Sequence, residues 1–177
     1  GYVGCANGLM FSKKLNVSMM DIDQKKVRDF NNNKLPIHDT FAQQYFENEY
    51  ENLNIHATTD LLESIHESSF VLLCLPTNFD KSSNQYDTTA IEETVNTIIS
   101  ENQDTIIIIK STVNIGYTAS LQKKFSTSRI IFSPEFLREG HALEDNFFPS
   151  RIIIGDEDPN SKLFGELLLS VIHLDDV

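Results

Sequence analysis

The stretch SPEFLREG, residues 133–140, sets two carboxylates, Glu135 and Glu139, around Phe136, Leu137 and the cation Arg138, directly after an apolar run. A carboxylate in a closed cleft can orient or deprotonate water. The competing reading is a solvated turn in which Arg138 makes a surface ion pair. Two other polar turns follow apolar runs in the same way, PTN (Pro76, Thr77, Asn78) and ST (Ser111, Thr112). The hydroxyls of Thr77 and Thr112 can donate to phosphate or ribose, or position a water. Threonine in such a place also caps a following helix.

The chain opens GYVG, residues 1–4, and runs into an apolar segment with helical spacing. Gly1-Tyr2-Val3-Gly4 has the form of the second half of the fingerprint G-x-G-x-x-G, in which glycines admit a pyrophosphate to the backbone and let the helix pack closely on a sheet. Asp21 closes MMD at the place, ~20 residues on, where a carboxylate binds the adenine ribose hydroxyls. A carboxylate there repels a 2′-phosphate, which argues for NAD over NADP. The alternatives are a packing glycine pair and an ordinary acid at a strand end.

These residues need a frame that brings strand ends together. The spacing predicts helices over about 5–14, 24–31, 39–50, 60–67, about 89–101 and 117–125, and strands over 16–22, 54–58, 69–75, 105–110, 129–132 and 150–155. Phe41, Tyr45 and Phe46 are expected to share one helix face. The continuous apolar run at 69–75 reads as a parallel strand covered on both faces. Residues 77–86 read as a loop, after which Asp87 or Thr89 offers an N-cap, with Glu92 completing a Thr-x-x-Glu box. The sustained alternation predicts an α/β fold, Rossmann-like and doubly wound, with a mostly parallel sheet. The first strand of that sheet is not in the sequence. It would be central in the order 3-2-1-4-5-6, flanked on both sides, so we expect the polypeptide to extend beyond this sequence.

Composition narrows the partners. The chain of 177 residues is 40% hydrophobic, with a formal net charge of −12, and has the means to bury one substantial core. Such acidity repels a phosphate backbone, and no basic patch offsets it, so nucleic acid is not expected. Cys5 and Cys74 are far apart, lack CxxC spacing and fall in segments read as buried helix and buried strand, which fits a reducing, cytoplasmic setting. The apolar runs are far short of the roughly 20 residues of a membrane helix, and no leader pattern opens the chain. No metal-ligand spacing is found.

Together GYVG, Asp21, PTN followed by YDT (86–88), KSTVNIG (110–116), IIFSPEFLREGHAL (130–143) and PSRIIIG (149–155) resemble, in order and spacing, the N-terminal half of the bacterial UDP-glucose 6-dehydrogenases. The resemblance implies an N-terminal NAD-binding domain over 1–177, incomplete at its beginning, to which a central dimer-forming helix and a C-terminal nucleotide-sugar domain belong in the family. It implies a homodimer that converts UDP-glucose to UDP-glucuronate by two successive hydride transfers. Carried over by position, Val3, Asp21, Lys26 and Thr77 contact NAD within the set Gly1, Tyr2, Val3, Gly4, Asp21, Lys26, Thr77, Thr112 and Glu139. Residues Glu135, Phe136, Leu137, Arg138 and Glu139 line the nucleotide-sugar site. The backbone of Phe136 and Leu137 holds substrate, and Thr112 with Glu139 positions a catalytic water.

The family's nucleophilic cysteine, catalytic lysine and assisting aspartate lie in the half that these residues do not cover. Asn114 stands where proline is common. The alternatives are a UDP-N-acetylmannosamine or GDP-mannose dehydrogenase, or a module that binds NAD or a nucleotide sugar without turnover. The final stretch, LLLSVIHLDDV, suggests no function.

Overall fold

The computed structural model describes residues 1–172; the last five residues of the expected 1–177 domain, and of LLLSVIHLDDV, lie outside the described residues. In chain order the elements are α1 (Tyr2–Ser12), β1 (Val17–Met20), α2 (Gln24–Asn31), α3 (Thr40–Glu49), a 3-10 turn (Tyr50–Asn52), β2 (Ile55–Thr58), α4 (Leu61–Ile65), β3 (Phe70–Leu73), β4 (Phe79–Asp80), β5 (Gln85–Tyr86), α5 (Thr89–Glu101), β6 (Ile106–Ile109), α6 (Tyr117–Phe125), β7 (Ile130–Phe132), α7 (Ala142–Phe147) and α8 (Pro159–Val171). The chain divides into two compact units, one made of residues 1–64, 136–151 and 166 onward, the other of 65–135 and 152–165.

In the first unit β1 pairs in parallel with β2, Val17 opposite Ile55 and Met20 opposite Thr58. Helix α1 is apolar nearly all round, and from Cys5 to Ser12 every residue is buried. It packs on β1 and α7. The helix comes close at Gly8, where a Cβ would lie 2.6 Å from Met19 Sδ and 3.3 Å from Ile55 Cδ1. In α3, Phe46 stacks on Phe30 with ring centres 4.9 Å apart, while Phe41 and Tyr45 both meet Phe147. The expected single aromatic face is therefore two: positions i and i+4 share a stripe, but the next residue is turned about 100° away. Asp39 is buried and caps α3 through Ala42 N–H at 2.9 Å. Its other oxygen accepts from Leu143 N–H, at the start of α7, at 3.3 Å.

In the second unit the order is β3-β6-β7, all parallel. The four isoleucines of β6 are fully buried. In β3 only Leu73 is buried, contrary to the expected cover on both faces. The reason is position in the ladder, since β6 has a strand on each side and β3 on one. Cys74 lies just past β3 and is half-buried, so it is not the buried strand thiol the sequence suggested. On α5, Ile91, Val95 and Ile98 form the buried stripe, with the i, i+4, i+7 spacing of an amphipathic helix.

Three other expectations are corrected. Residues 77–86 contain the short antiparallel pair β4 and β5, with Phe79 opposite Tyr86. Asp80 closes its turn by accepting from Ser82 and Ser83, and these bonds, Ser82 first, lower its carboxyl to about 2. The N-cap of α5 is Thr88, one residue before the expected box. Glu92 therefore has no capping threonine to answer and pairs with Lys124 of α6. Residues 150–155 form no strand. Gly155 N–H reaches Phe132 O at 2.8 Å, but Ile152 and Ile153 are 37% and 44% exposed, so strand composition is not matched by ladder pairing.

Candidate functional site

The first unit carries the opening turn and Asp21. Gly1 is the N-cap of α1, and the first helical bond runs from Cys5 N–H to Gly1 O at 3.0 Å. The N–H groups of Tyr2, Val3 and Gly4 therefore have no acceptor within the helix, and they point out of its positive end. A Cβ on Gly1 would meet nothing within 4 Å. At the end of β1, Asp21 Oδ1 accepts from Asp23 N–H at 2.9 Å, and Oδ2 lies 3.6 Å from Lys26 Nζ. Asp23 in turn caps α2 through the N–H groups of Lys25 and Lys26. Asp21 is thus held in a built turn about one third exposed, rather than hanging freely from a strand end. Burial pushes the Cys5 thiol upward in pKa, and the nearby Asp21 charge adds to it while Lys26 opposes. Of the expected NAD residues in this unit, Asp21 and Lys26 are the two whose side chains meet.

Residues 136–141 also belong to this unit. Arg138 donates its backbone N–H to Asp145 Oδ2 at 2.8 Å, and its guanidinium grips both oxygens of Asp145, at 3.1 and 2.7 Å. That bond holds the Asp145 carboxyl below its ordinary range against the opposing pull of desolvation. Arg138 makes the ion pair that the competing reading of this stretch expected. Its fork is used to fix the loop on α7, and any contact with a nucleotide sugar would have to compete with Asp145. Phe136 is exposed, with the Arg151 guanidinium 5.0 Å above its ring. Glu139 is exposed, and among the described residues it makes no ion pair. Gly140 takes a φ of 84°, which lets the loop turn into α7 without strain.

The second unit carries Thr77, Thr112 and Glu135. Ser111 Oγ bonds to Leu73 O at 3.1 Å and to Leu75 O at 2.7 Å, and Thr77 Oγ1 donates to Thr112 O at 2.8 Å. These bonds tie the turns after β3 and β6 to each other. Neither threonine caps a helix, since the N-caps of α5 and α6 are Thr88 and Gly116. Thr112 is exposed and its side chain projects from a turn fixed by its neighbour.

Sequence reasoning passed over Lys110. Its side chain is 5% exposed and its Nζ lies 2.8 Å from Glu135 Oε1, itself 14% exposed. Ser133 Oγ stands 3.4 Å from the same nitrogen. The only signal in the sequence was a lysine directly after four isoleucines, at the carboxyl end of a buried strand, where doubly wound sheets bind ligands. Among the described residues no group of His, Cys, Asp and Glu is arranged to hold a metal ion, and no helix is long and apolar enough to cross a membrane.

Residues 1–173 match the family described as UDP-glucose/GDP-mannose dehydrogenase family, NAD binding domain. The UDP-glucose 6-dehydrogenase of Campylobacter jejuni subsp. jejuni serotype O:2 is 43% identical over 176 residues, 98% of this chain and 44% of that protein. That of Streptococcus pneumoniae is 39% identical over 163 residues, 92% of this chain and 41% of that protein. The chain thus spans less than half the length of these relatives. Among solved structures, a UDP-glucose dehydrogenase from Pyrobaculum islandicum superposes with a TM-score of 0.85 at 21% identity, over 98% of this chain and 43% of that one. A GDP-mannose dehydrogenase from Pseudomonas aeruginosa gives 0.82 at 22%, over 97% and 43%. At that identity the structures speak for the Rossmann-type fold alone.

Proposed function

This chain belongs to the UDP-glucose/GDP-mannose dehydrogenase family as its NAD-binding domain, and from that premise we propose that it serves an enzyme oxidising UDP-glucose to UDP-glucuronate in two successive hydride transfers. The observation that carries the choice of sugar is the 43% identity to a UDP-glucose 6-dehydrogenase across nearly the whole chain.

NAD is the cofactor, and the residues present fit it. The N-terminal end of α1 offers the unpaired N–H groups of Tyr2, Val3 and Gly4 to a pyrophosphate. Asp21, already turned by Asp23 N–H, has a carboxylate for the two ribose hydroxyls and charge that disfavours a 2′-phosphate. Lys26 sits beside it as counter-charge. Bound NAD supplies the hydride acceptor. In the second unit, Thr77 holds the turn that carries Thr112, whose hydroxyl on this reading orients a water; in the first unit Glu139 is exposed and on this reading serves as a proton-exchanging carboxylate. Phe136 and Leu137 present backbone to the nucleotide sugar from a loop that Arg138 and Asp145 hold in place. Glu135 contributes a carboxylate fixed by Lys110.

The test is NADH formation, followed by absorbance, by the full-length polypeptide with UDP-glucose, UDP-N-acetylmannosamine and GDP-mannose in parallel. Turnover of UDP-glucose well above the other two is expected, with two NADH formed per sugar. Preference for another nucleotide sugar would move the assignment within the family, and saturable NAD binding without turnover of any would leave a binding module.

A further inference from the structure

We infer that Lys110 is a positioning residue for Glu135, acting on the nucleotide-sugar reaction through that carboxylate; the inference rests on the function proposed above. Lys110 directly follows β6 and Glu135 follows β7 by a few residues, and these strands are parallel neighbours with Ile109 opposite Phe132. Both side chains therefore emerge at the carboxyl ends of adjacent strands. Their charged atoms meet at 2.8 Å with 5% and 14% of the side chains exposed, and Ser133 Oγ lies against the ammonium.

Stability alone is a poor reason for such a pair. Desolvating an ammonium and a carboxylate costs about as much as their attraction returns, and an apolar pair of similar volume commonly does as well or better. The other buried charged group among the described residues, Asp39, has its task in capping α3 and accepting from a backbone N–H at the start of α7. Lys110 caps nothing. Its amine reaches past the end of a fully apolar strand to one carboxylate, in the stretch that the sequence singles out for chemistry. A glutamate chain has several rotatable bonds, and one buried counter-charge at hydrogen-bond distance confines its carboxylate to one place.

The experiment uses the full-length polypeptide and four variants: Lys110→Met, Lys110→Arg, Glu135→Gln and the double variant Lys110→Met with Glu135→Gln. Initial rates with UDP-glucose are read beside NAD affinity and the thermal midpoint. Lys110→Met and Glu135→Gln are each expected to lower kcat/KM for the nucleotide sugar by about tenfold or more, through the same parameter, kcat or KM, with NAD affinity within about twofold of wild type. The double variant is expected to match Glu135→Gln within about threefold, because groups acting as one unit are not additive. Lys110→Arg keeps the charge and is expected to recover most of the loss.

If Lys110→Met strands a buried carboxylate and unfolds, the double variant carries no such charge, and its comparison with Glu135→Gln still decides. A double variant that multiplies the two losses, a Lys110→Met enzyme as active as wild type, or a loss confined to the thermal midpoint would overturn the inference while leaving the proposed function standing. A wild-type protein that oxidises none of the nucleotide sugars would overturn the proposed function and the inference with it.

Discussion

Asp39 and Leu143 are joined by a hydrogen bond from the backbone N–H of one to the carboxylate of the other, at 3.3 Å, while the second oxygen of Asp39 caps α3. One buried side chain thus fixes the starts of α3 and α7, and α7 carries the Asp145 that grips Arg138. Replacing Asp39 by alanine removes an N-cap, worth about 1 kcal/mol, and strands a buried N–H, at about 1 to 3 kcal/mol. Asp39→Ala is expected to lose about 2 to 4 kcal/mol in urea unfolding, with Asp39→Asn losing less because its amide oxygen still accepts.

The Gly8 backbone lies so close to β1 that any side chain there must displace Met19. Met19 is flexible and Ile55 less so, and overpacking of this kind costs about 1 to 3 kcal/mol. Gly8→Val is expected to lose that amount. Gly8→Ala should come near wild type, because the methyl group needs only a small shift of Met19 and alanine regains about 1 kcal/mol of helix propensity. The measurement is the shift of the denaturation midpoint for each variant.

These examples show what the sequence could and could not disclose. α2 and α6 were legible to the residue because their signals are local: Asp23 caps the first, and Gly116 and Ser126, both left-handed, bound the second. The burial of β6 could be read from four isoleucines in a row. The residues 150–155 had the same composition and formed no strand, since ladder pairing depends on a neighbour that composition does not name. Gly1 and Gly4 drew attention as the fingerprint, while the tight contact that Gly8 makes with β1 in the middle of the helix went unread. Asp21 and the turns at 77 and 111–112 were found from strand ends. The Lys110–Glu135 pair was not, because only the adjacency of β6 and β7 brings together residues so far apart in the chain.

Asp21 gives the cofactor prediction. A carboxylate that accepts from ribose hydroxyls contributes a charge-assisted bond, about 1.5 to 3 kcal/mol, and its loss weakens binding by roughly 10- to 100-fold. Asp21→Asn keeps the size of the side chain and an acceptor for Asp23 N–H, so the turn should survive. Its NAD dissociation constant is expected to rise by that factor, and discrimination against NADP to narrow, as read by calorimetric titration of both nucleotides. Unchanged NAD affinity would return Asp21 to the role of a turn residue.

The Arg138–Asp145 pair makes a prediction in pH. The bonds from Arg138, chiefly from its side chain, hold the Asp145 carboxyl below its ordinary value of 3.8. A carboxyl lowered in the folded state contributes stability that is fully present above the unfolded value, about 3.9, and is lost as pH falls through the lower folded value. Asp145→Asn cannot titrate. The stability difference between wild type and variant is therefore expected to be constant from pH 7 to about 5 and to shrink steadily below about pH 4, measured as denaturation midpoints across that range. Because Asp145 also accepts the backbone N–H of Arg138, the variant should loosen the loop that carries Phe136 and Leu137 as well. Its KM for the nucleotide sugar is expected to rise while NAD affinity stays put, and a difference in stability that is flat down to pH 2 would mean that the pair carries no proton linkage.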